Sequence, residues 1–488
     1  MTTSTELDQI AHGLHQLSTL PDWLAAGANG TRVAAALERD IVGLAIRRCK
    51  VDNLRLKGEQ WLARYELTIA EPDGSAREIA LAGTLTPPGS PAPPSVGIPP
   101  TPEPSSAAFG SADWRGYLPD LGLDLYTDLA EEEEFAALPI LTDPQQARAF
   151  LEQSIRAGAP AYAGLAIATC TPKVMRNKPG RCTVRYQLEY ADGSARWPNP
   201  IIAKTYSKDK GRNTYAAMRA LWNSPLSKGD LVRIAEPLAY DPEHRVLIQG
   251  PVPGAGDLKD LLRATLRAHS PAATDELHTI IRKTAAGLAA MHHSGARHGE
   301  IITWEDELAE IRGELAKLRA SIPWFADAVE PLLTQLETAS AAYPADPTLP
   351  AHRSFRPQQV LIDHGNIGFI DFDGFCLAEP ALDIALFRST IKEMGINTSP
   401  SDKQKEFEYP SQQARLDRLS ELNTICDIFL DEYARIAPIS QQRVALWEAL
   451  DLLTVVLRCW SKAKPHQLSN AVLLLESQLS ASGLLERR

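Results

Sequence analysis

The 488-residue sequence predicts an α+β chain: a small antiparallel β segment, then a larger helical part, with a degenerate copy of the β segment in front. Three observations lead there. Two stretches of alternating polar and apolar residues repeat each other at near-constant spacing. From residue 208 the apolar positions take up helical spacing. Near residue 350 that spacing gives way to a loop holding His352 and then to two close carboxylates, Asp371 and Asp373.

The length exceeds one average domain. A hydrophobic fraction of 44% with 23% charged residues is ordinary for a globular protein. The net charge of −11 argues against nucleic acid as a partner, because phosphate backbones need clustered Lys and Arg. The acidic run Glu131 to Glu134 is read as a solvated face or a helix start. Cys49, Cys170, Cys182, Cys376, Cys426 and Cys459 are scattered without CxxC or Cys/His pairing, as expected for reduced thiols in a cytoplasmic protein. The first 17 residues carry Glu6 and Asp8 and lack the apolar core of a signal peptide. No charge-free apolar run reaches the ~20 residues of a membrane span, so no membrane association is expected.

Half of the positions from Pro87 to Pro104 are proline, which favours extended chain and cannot build a core, and this is the sharpest boundary. The repeat lies on either side. Gly43-Leu44-Ala45-Ile46 recurs as Gly164-Leu165-Ala166-Ile167, each with a Cys three residues on. Lys57, Arg64, Tyr65 and Leu67 match Lys178, Arg185, Tyr186 and Leu188 at an offset of 121. Asp73-Gly74 recurs as Asp192-Gly193, and Ala82-Gly83-Thr84 falls opposite Ala203-Lys204-Thr205, again at 121. Alternation around Asp-Gly turns marks antiparallel hairpins, with strands over 183–188 and 201–204.

Helices are predicted over 212–222, 275–292, 304–318 and 331–343, and beyond Asp383 over 402–436, 440–460 and 466–480. A strand over 245–249 runs into the turn Gly250-Pro251-Val252-Pro253-Gly254. The stretch from Ala351 to Ile362 followed by Ile370-Asp371-Phe372-Asp373 reads as loop, strand, a turn at His364-Gly365-Asn366, and strand. Two acidic residues at i and i+2 on a strand end can present oxygen ligands to a hard cation such as Mg2+. Arg297-His298-Gly299-Glu300 has no strand and carboxylate pair behind it and is read as the loop closing the long helix.

The His352 loop and the carboxylate pair resemble the aminoglycoside phosphotransferase and choline kinase group, relatives of the protein kinases. The pattern there is His-Gly-Asp-x-x-x-x-Asn followed by Ile-Asp-aromatic-Asp/Glu. The resemblance implies a two-lobed protein kinase-like fold, with each repeat copy corresponding to the small β lobe. It implies residues 1–86 as an N-terminal half-repeat, 87–107 as linker, 108–163 as a connecting helical segment, 164–250 as the small lobe and 251–488 as the helical lobe. It further implies ATP or another NTP with Mg2+, and a small-molecule hydroxyl or amine as acceptor.

Carried over position by position, Asp371, Asp373 and Gln359 take the metal, and Lys204 takes the nucleotide phosphates. His352 orders the loop and Arg356 adds positive charge. Gly180, in the turn Asn177 to Arg181, stands where the phosphate-covering loop belongs, though a plain hairpin turn explains it equally. Gln249 stands at the adenine hinge, with a simple linker as the competing reading. Asp383 resembles the aspartate that supports the catalytic loop, with a helix N-cap as the competing role. Two positions depart from the pattern. Ser354 replaces the catalytic Asp, and Gln359 replaces the Asn. The helix after Lys204 also contains no Glu to pair with it. A pseudokinase that binds nucleotide, or a protein partner through the N-terminal half-repeat, is the alternative function.

Overall fold

The computed structural model describes residues 4–71, 73–88, 109, 114–127, 135–178, 180–398 and 411–484. The acidic run 131–134 and nearly all of the proline-rich stretch lie outside these residues. The chain forms two compact units. One comprises Met1–Ala130, Trp304–Ala342 and Ala449–Arg488; the other comprises Glu131–Thr303 and Tyr343–Glu448.

The first unit holds a five-stranded sheet of β1 (Ile46–Lys57), β2 (Gln60–Ala70), β3 (Ala76–Leu85), β4 (Arg115–Leu118) and β5 (Leu123–Thr127), ordered β1-β2-β3-β5-β4. Strand β2 alternates as its sequence dictates, with Trp61, Tyr65, Leu67 and Ile69 fully buried. Helix Ser4–Leu17 packs on helix Trp324–Ala342, where Gly13 allows a close approach: a Cβ there would lie 2.3 Å from the Ala328 carbonyl oxygen. The second of these helices starts seven residues before the expected Pro331, which sits inside it. The buried face Phe325, Ala328 and Val329 extends the apolar stripe past the proline and outweighs its missing N–H.

The second unit carries β6 (Ile167–Lys178), β7 (Arg181–Tyr190), β8 (Ile201–Tyr206), β9 (Arg233–Ile234), β10 (Pro237–Asp241), β11 (Val246–Gln249), β12 (Gly256–Asp257), β13 (Leu349–Ala351), β14 (Val360–Asp363), β15 (Asn366–Phe369) and β16 (Cys376–Ala378). Its main sheet is ordered β10-β11-β8-β7-β6, so β8 is central. Helix Pro144–Gly158 backs this sheet, its first turn capped by the Asp143 carboxylate, and Leu151, Ile155, Val184, Tyr186 and Ile248 fill the core between them. A larger helical part follows, with Pro271–His292, Pro380–Ile396 and Gln412–Ile436 as its main members.

The two sheets share a pairing pattern. Cys49 pairs with Leu67 and Cys170 with Leu188, at the same 121-residue offset seen in the sequence. The third strands differ from the sequence alignment by one residue. Arg64 pairs with Ala82, whereas Arg185 pairs with Ile202, so Ala82 corresponds to Ile202 and Thr84 to Lys204. Burial decides the register: Leu81 and Gly83 point inward, as do Ile201 and Ala203, and a one-residue slip would turn each to the wrong face.

Candidate active site

Strand β8 delivers Lys204, which is 9% exposed and flanked by Thr183 and Leu247 on the neighbouring strands. Opposite lies the β14–β15 hairpin. Its two-residue turn places His364 and Gly365 at φ values of 47° and 77°, the pattern that keeps strands twisting together. The chain leaves β15 through Ile370 into Asp371, which takes the left-handed conformation (φ 73°, ψ 55°) that only a short polar side chain or glycine adopts readily. That turn aims its carboxylate back at the sheet.

The Lys204 ammonium lies 3.1 Å from Asp371 Oδ1 and 3.9 Å from Asp373 Oδ1. Arg181, the first residue of β7, places one nitrogen, Nη1, 3.0 Å from Asp371 Oδ1 and 2.8 Å from Asp373 Oδ2. The Tyr206 hydroxyl donates to Asp373 Oδ1 at 2.9 Å, and Thr214 Oγ1 lies 3.4 Å from the same oxygen. Two carboxylates therefore face two cations and two hydroxyls. Burial pushes the Asp371 carboxyl up, but Lys204 and Arg181 outweigh it and hold the group at about 2. Burial pushes the Tyr206 phenol up, and Asp373 pushes it further in the same direction.

The loop before this hairpin is tied down from beneath. The Asp383 carboxylate accepts the backbone N–H of His352 at 2.6 Å and of Arg353 at 2.8 Å. It also lies 3.1 Å from His292 Nε2, while His292 Nδ1 lies 2.7 Å from the Tyr433 hydroxyl. The N-cap reading of Asp383 is incorrect: Glu379 holds that position, and Asp383 spends both oxygens on the loop and His292. Phe355 anchors the loop in an aromatic cluster with Phe369 and Phe387 at centroid distances of 4.8 and 5.2 Å.

His352 is fully buried, and its Nε2 lies 3.1 Å from the Ile370 carbonyl oxygen. A carbonyl only accepts, so in the neutral ring Nε2 carries the proton and Nδ1 accepts the Ser354 hydroxyl at 3.1 Å. Gly374 presses on this loop: a Cβ there would lie 3.2 Å from the His352 carbonyl oxygen and 3.7 Å from Ser354 Oγ. Gln359 is buried in a short 3-10 turn, and its Oε1 has no hydrogen-bond partner among the described residues.

Gly180 (φ 85°) precedes Arg181, and its carbonyl accepts the Ser207 N–H at 3.1 Å. Gln249 is buried at the end of β11, and Gly250 after it donates to the Glu236 carbonyl at 2.8 Å. Arg356 sits half-buried at the start of the 3-10 turn. Arg181, Tyr206, Thr214, His292 and Tyr433 were not legible as site residues. Only the position of Arg181 beside the turn glycine was a usable signal.

Among the described residues no group of three or more His, Cys, Asp or Glu could hold a metal ion. Asp371 and Asp373, brought together by the shared contact with Arg181 Nη1, are nevertheless hard oxygen donors of the kind Mg2+ uses, since it retains several waters. Among the same residues no helix is long and apolar enough to cross a membrane.

No curated protein matches the chain. Solved structures similar to it include a choline/ethanolamine kinase family protein from Mesorhizobium loti, at 14% identity and a TM-score of 0.42 over 70% of this chain and 95% of that one. Choline kinase from Cryptosporidium parvum Iowa II is similar at 14% identity and 0.46 over 70% and 97%. A glucosamine kinase in complex with glucosamine, ADP and inorganic phosphate is similar at 14% and 0.44 over 96% and 100%. The family assignment does not rest on these distant likenesses. The family model described as Phosphotransferase enzyme family matches residues 185–453, more than half of the sequence, and the chain belongs to that family, with its α+β kinase-like fold.

Proposed function

We propose that this protein is a nucleotide-dependent phosphotransferase acting on a hydroxyl or amine of a small molecule. The observation that carries the reading is the 3.1 Å approach of Lys204 to Asp371 across 167 residues of chain. In this reading Lys204 binds the phosphates of ATP or another NTP beneath the Gly180 turn, and Gln249 marks the hinge where the base is held. Asp371 and Asp373, with the free amide oxygen of Gln359, hold Mg2+. The ion, when bound, supplies charge neutralisation at the phosphate oxygens. Arg356 adds positive charge beside the loop. His352 holds the loop in shape and leaves Nδ1 to accept from Ser354, so the serine hydroxyl can pass a proton to the imidazole in place of the missing carboxylate. Such assistance is weaker than a general base, but phosphoryl transfer depends mostly on positioning and charge.

The reading extends to the rest of the chain. Residues 1–86 are proposed as a degenerate copy of the nucleotide lobe that serves a protein partner, and the lobe boundary is proposed at residue 250. Six cysteines scattered without CxxC spacing support a cytoplasmic setting. The pseudokinase alternative is favoured by one observation, the absence of a carboxylate at position 354.

The first test is the melting temperature with millimolar ATP and Mg2+, which is expected to rise. No rise abandons nucleotide binding. The second compares ATP hydrolysis by the parent and D371A; a parent no faster than the variant leaves the pseudokinase standing.

A further inference from the structure

Resting on that phosphotransferase reading, we infer that Arg181 is a phosphate-binding residue for the nucleotide, held in the ligand-free protein on the carboxylates that receive the metal. The geometry of the contact is the argument. A guanidinium meeting one carboxylate normally uses two parallel N–H bonds, which is its strong and specific mode. Here a single nitrogen, Nη1, instead bridges two carboxylates, at 3.0 Å to Asp371 Oδ1 and 2.8 Å to Asp373 Oδ2. A nitrogen between oxygens of two different residues occupies the place of a bridging cation.

The charge count agrees. Asp371 and Asp373 carry two negative charges, and Lys204 and Arg181 supply two positive ones within 4 Å. A divalent ion arriving alone meets a neutral cluster and must displace a guanidinium. A nucleotide polyphosphate arriving with the ion brings the acceptors that the displaced group needs. Arg181 has the reach for this exchange. Its backbone is pinned beside Gly180, whose carbonyl accepts the Ser207 N–H at 3.1 Å, while its side chain is 25% exposed. The exchange thus needs side-chain rotation only. Guanidinium also matches phosphate oxygens better than ammonium does, being planar with five donors. Arg181 is then a specificity residue: it keeps the carboxylates from bare metal and rewards metal that comes with a polyphosphate.

The test has two arms, on the full-length chain and the variants R181A, R181Q and R181K. Mn2+ titration without nucleotide, read by electron paramagnetic resonance, is expected to show about tenfold tighter binding in R181A and R181Q, since one charge-assisted contact no longer competes. Calorimetric titration with Mg2+ and ADP is expected to show about tenfold weaker binding in the same two variants, with R181K between them and the parent. Melting curves of ligand-free R181Q and R181K identify any loss caused by unfolding. Equal Mn2+ affinities, or unchanged ADP affinity in R181A and R181Q while the parent binds both ligands, overturn the inference and leave the phosphotransferase reading intact. A parent that binds neither ligand overturns both.

Discussion

Asp371 combines a positive φ, a half-buried carboxylate and two cationic neighbours, so its charge contributes to stability as well as to the site. Its folded value of about 2 lies below the ordinary 3.8. A depressed carboxyl stabilises the folded state above the unfolded value and loses that contribution as pH falls toward the folded one. The contribution is about 2 kcal/mol at neutral pH and falls to roughly half by pH 3. D371N keeps a residue that tolerates left-handed backbone and removes the charge. Denaturant titrations should show the gap between parent and D371N narrowing from pH 5 to pH 3; a constant gap contradicts the ion pair. Under the proposed phosphotransferase reading, a carboxylate at position 354 would supply a general base, worth ~10² or more in rate. S354D is therefore expected to raise phosphoryl turnover with bound nucleotide, and a silent variant points to a site used for binding alone.

At the scale of elements, the two sheets use the same device to hold a helix end. Tyr65 on β2 donates to the Gly27 carbonyl at 3.0 Å, and Tyr186 on β7 donates to the Leu141 carbonyl at 2.9 Å. Each acceptor lies in the last turn of a short helix, where carbonyls have no partner within the helix. Y65F and Y186F should each cost about 1–2 kcal/mol by chemical denaturation, because a buried acceptor loses its donor. A loss confined to one variant would show that only one of these bonds matters. Strand existence and the β6–β7 pairing were legible, because period-two alternation and turn glycines act over a few residues. The one-residue register of β8 was not, because it is set by which face of the strand meets the core. Pro331 misled the helix boundary for a similar reason: a local rule gave way to burial at Phe325 and Val329.

At the scale of the whole molecule, the buried charges among the described residues are ion-paired or hydrogen-bonded. Glu448 and Arg388 are buried together at 2.7 Å, with the Lys392 ammonium 2.5 Å from the same glutamate. Glu379 accepts from Arg443 and from the Trp447 indole at 3.0 Å. Thiols follow the same logic of exclusion. Five of the six cysteines are buried, and burial pushes Cys49, Cys170 and Cys426 up to about 11 each. Native protein at pH 7.5 should therefore resist iodoacetamide and react at all six positions once unfolded, as counted by intact mass. Rapid labelling of several cysteines in the native state would contradict this packing.

Sequence alone determined the α+β class, the paired hairpins, about half of the helices, and the residue types proposed to hold a metal and phosphates, since each depends on periodicity or spacing within short stretches. Tertiary structure decided what those residues meet. Arg181 reaches Asp371 across 190 positions, and His292 reaches Asp383 across 91. No local pattern encodes such meetings: they exist only once burial has chosen which face of each strand and helix turns inward, and the chain between has closed.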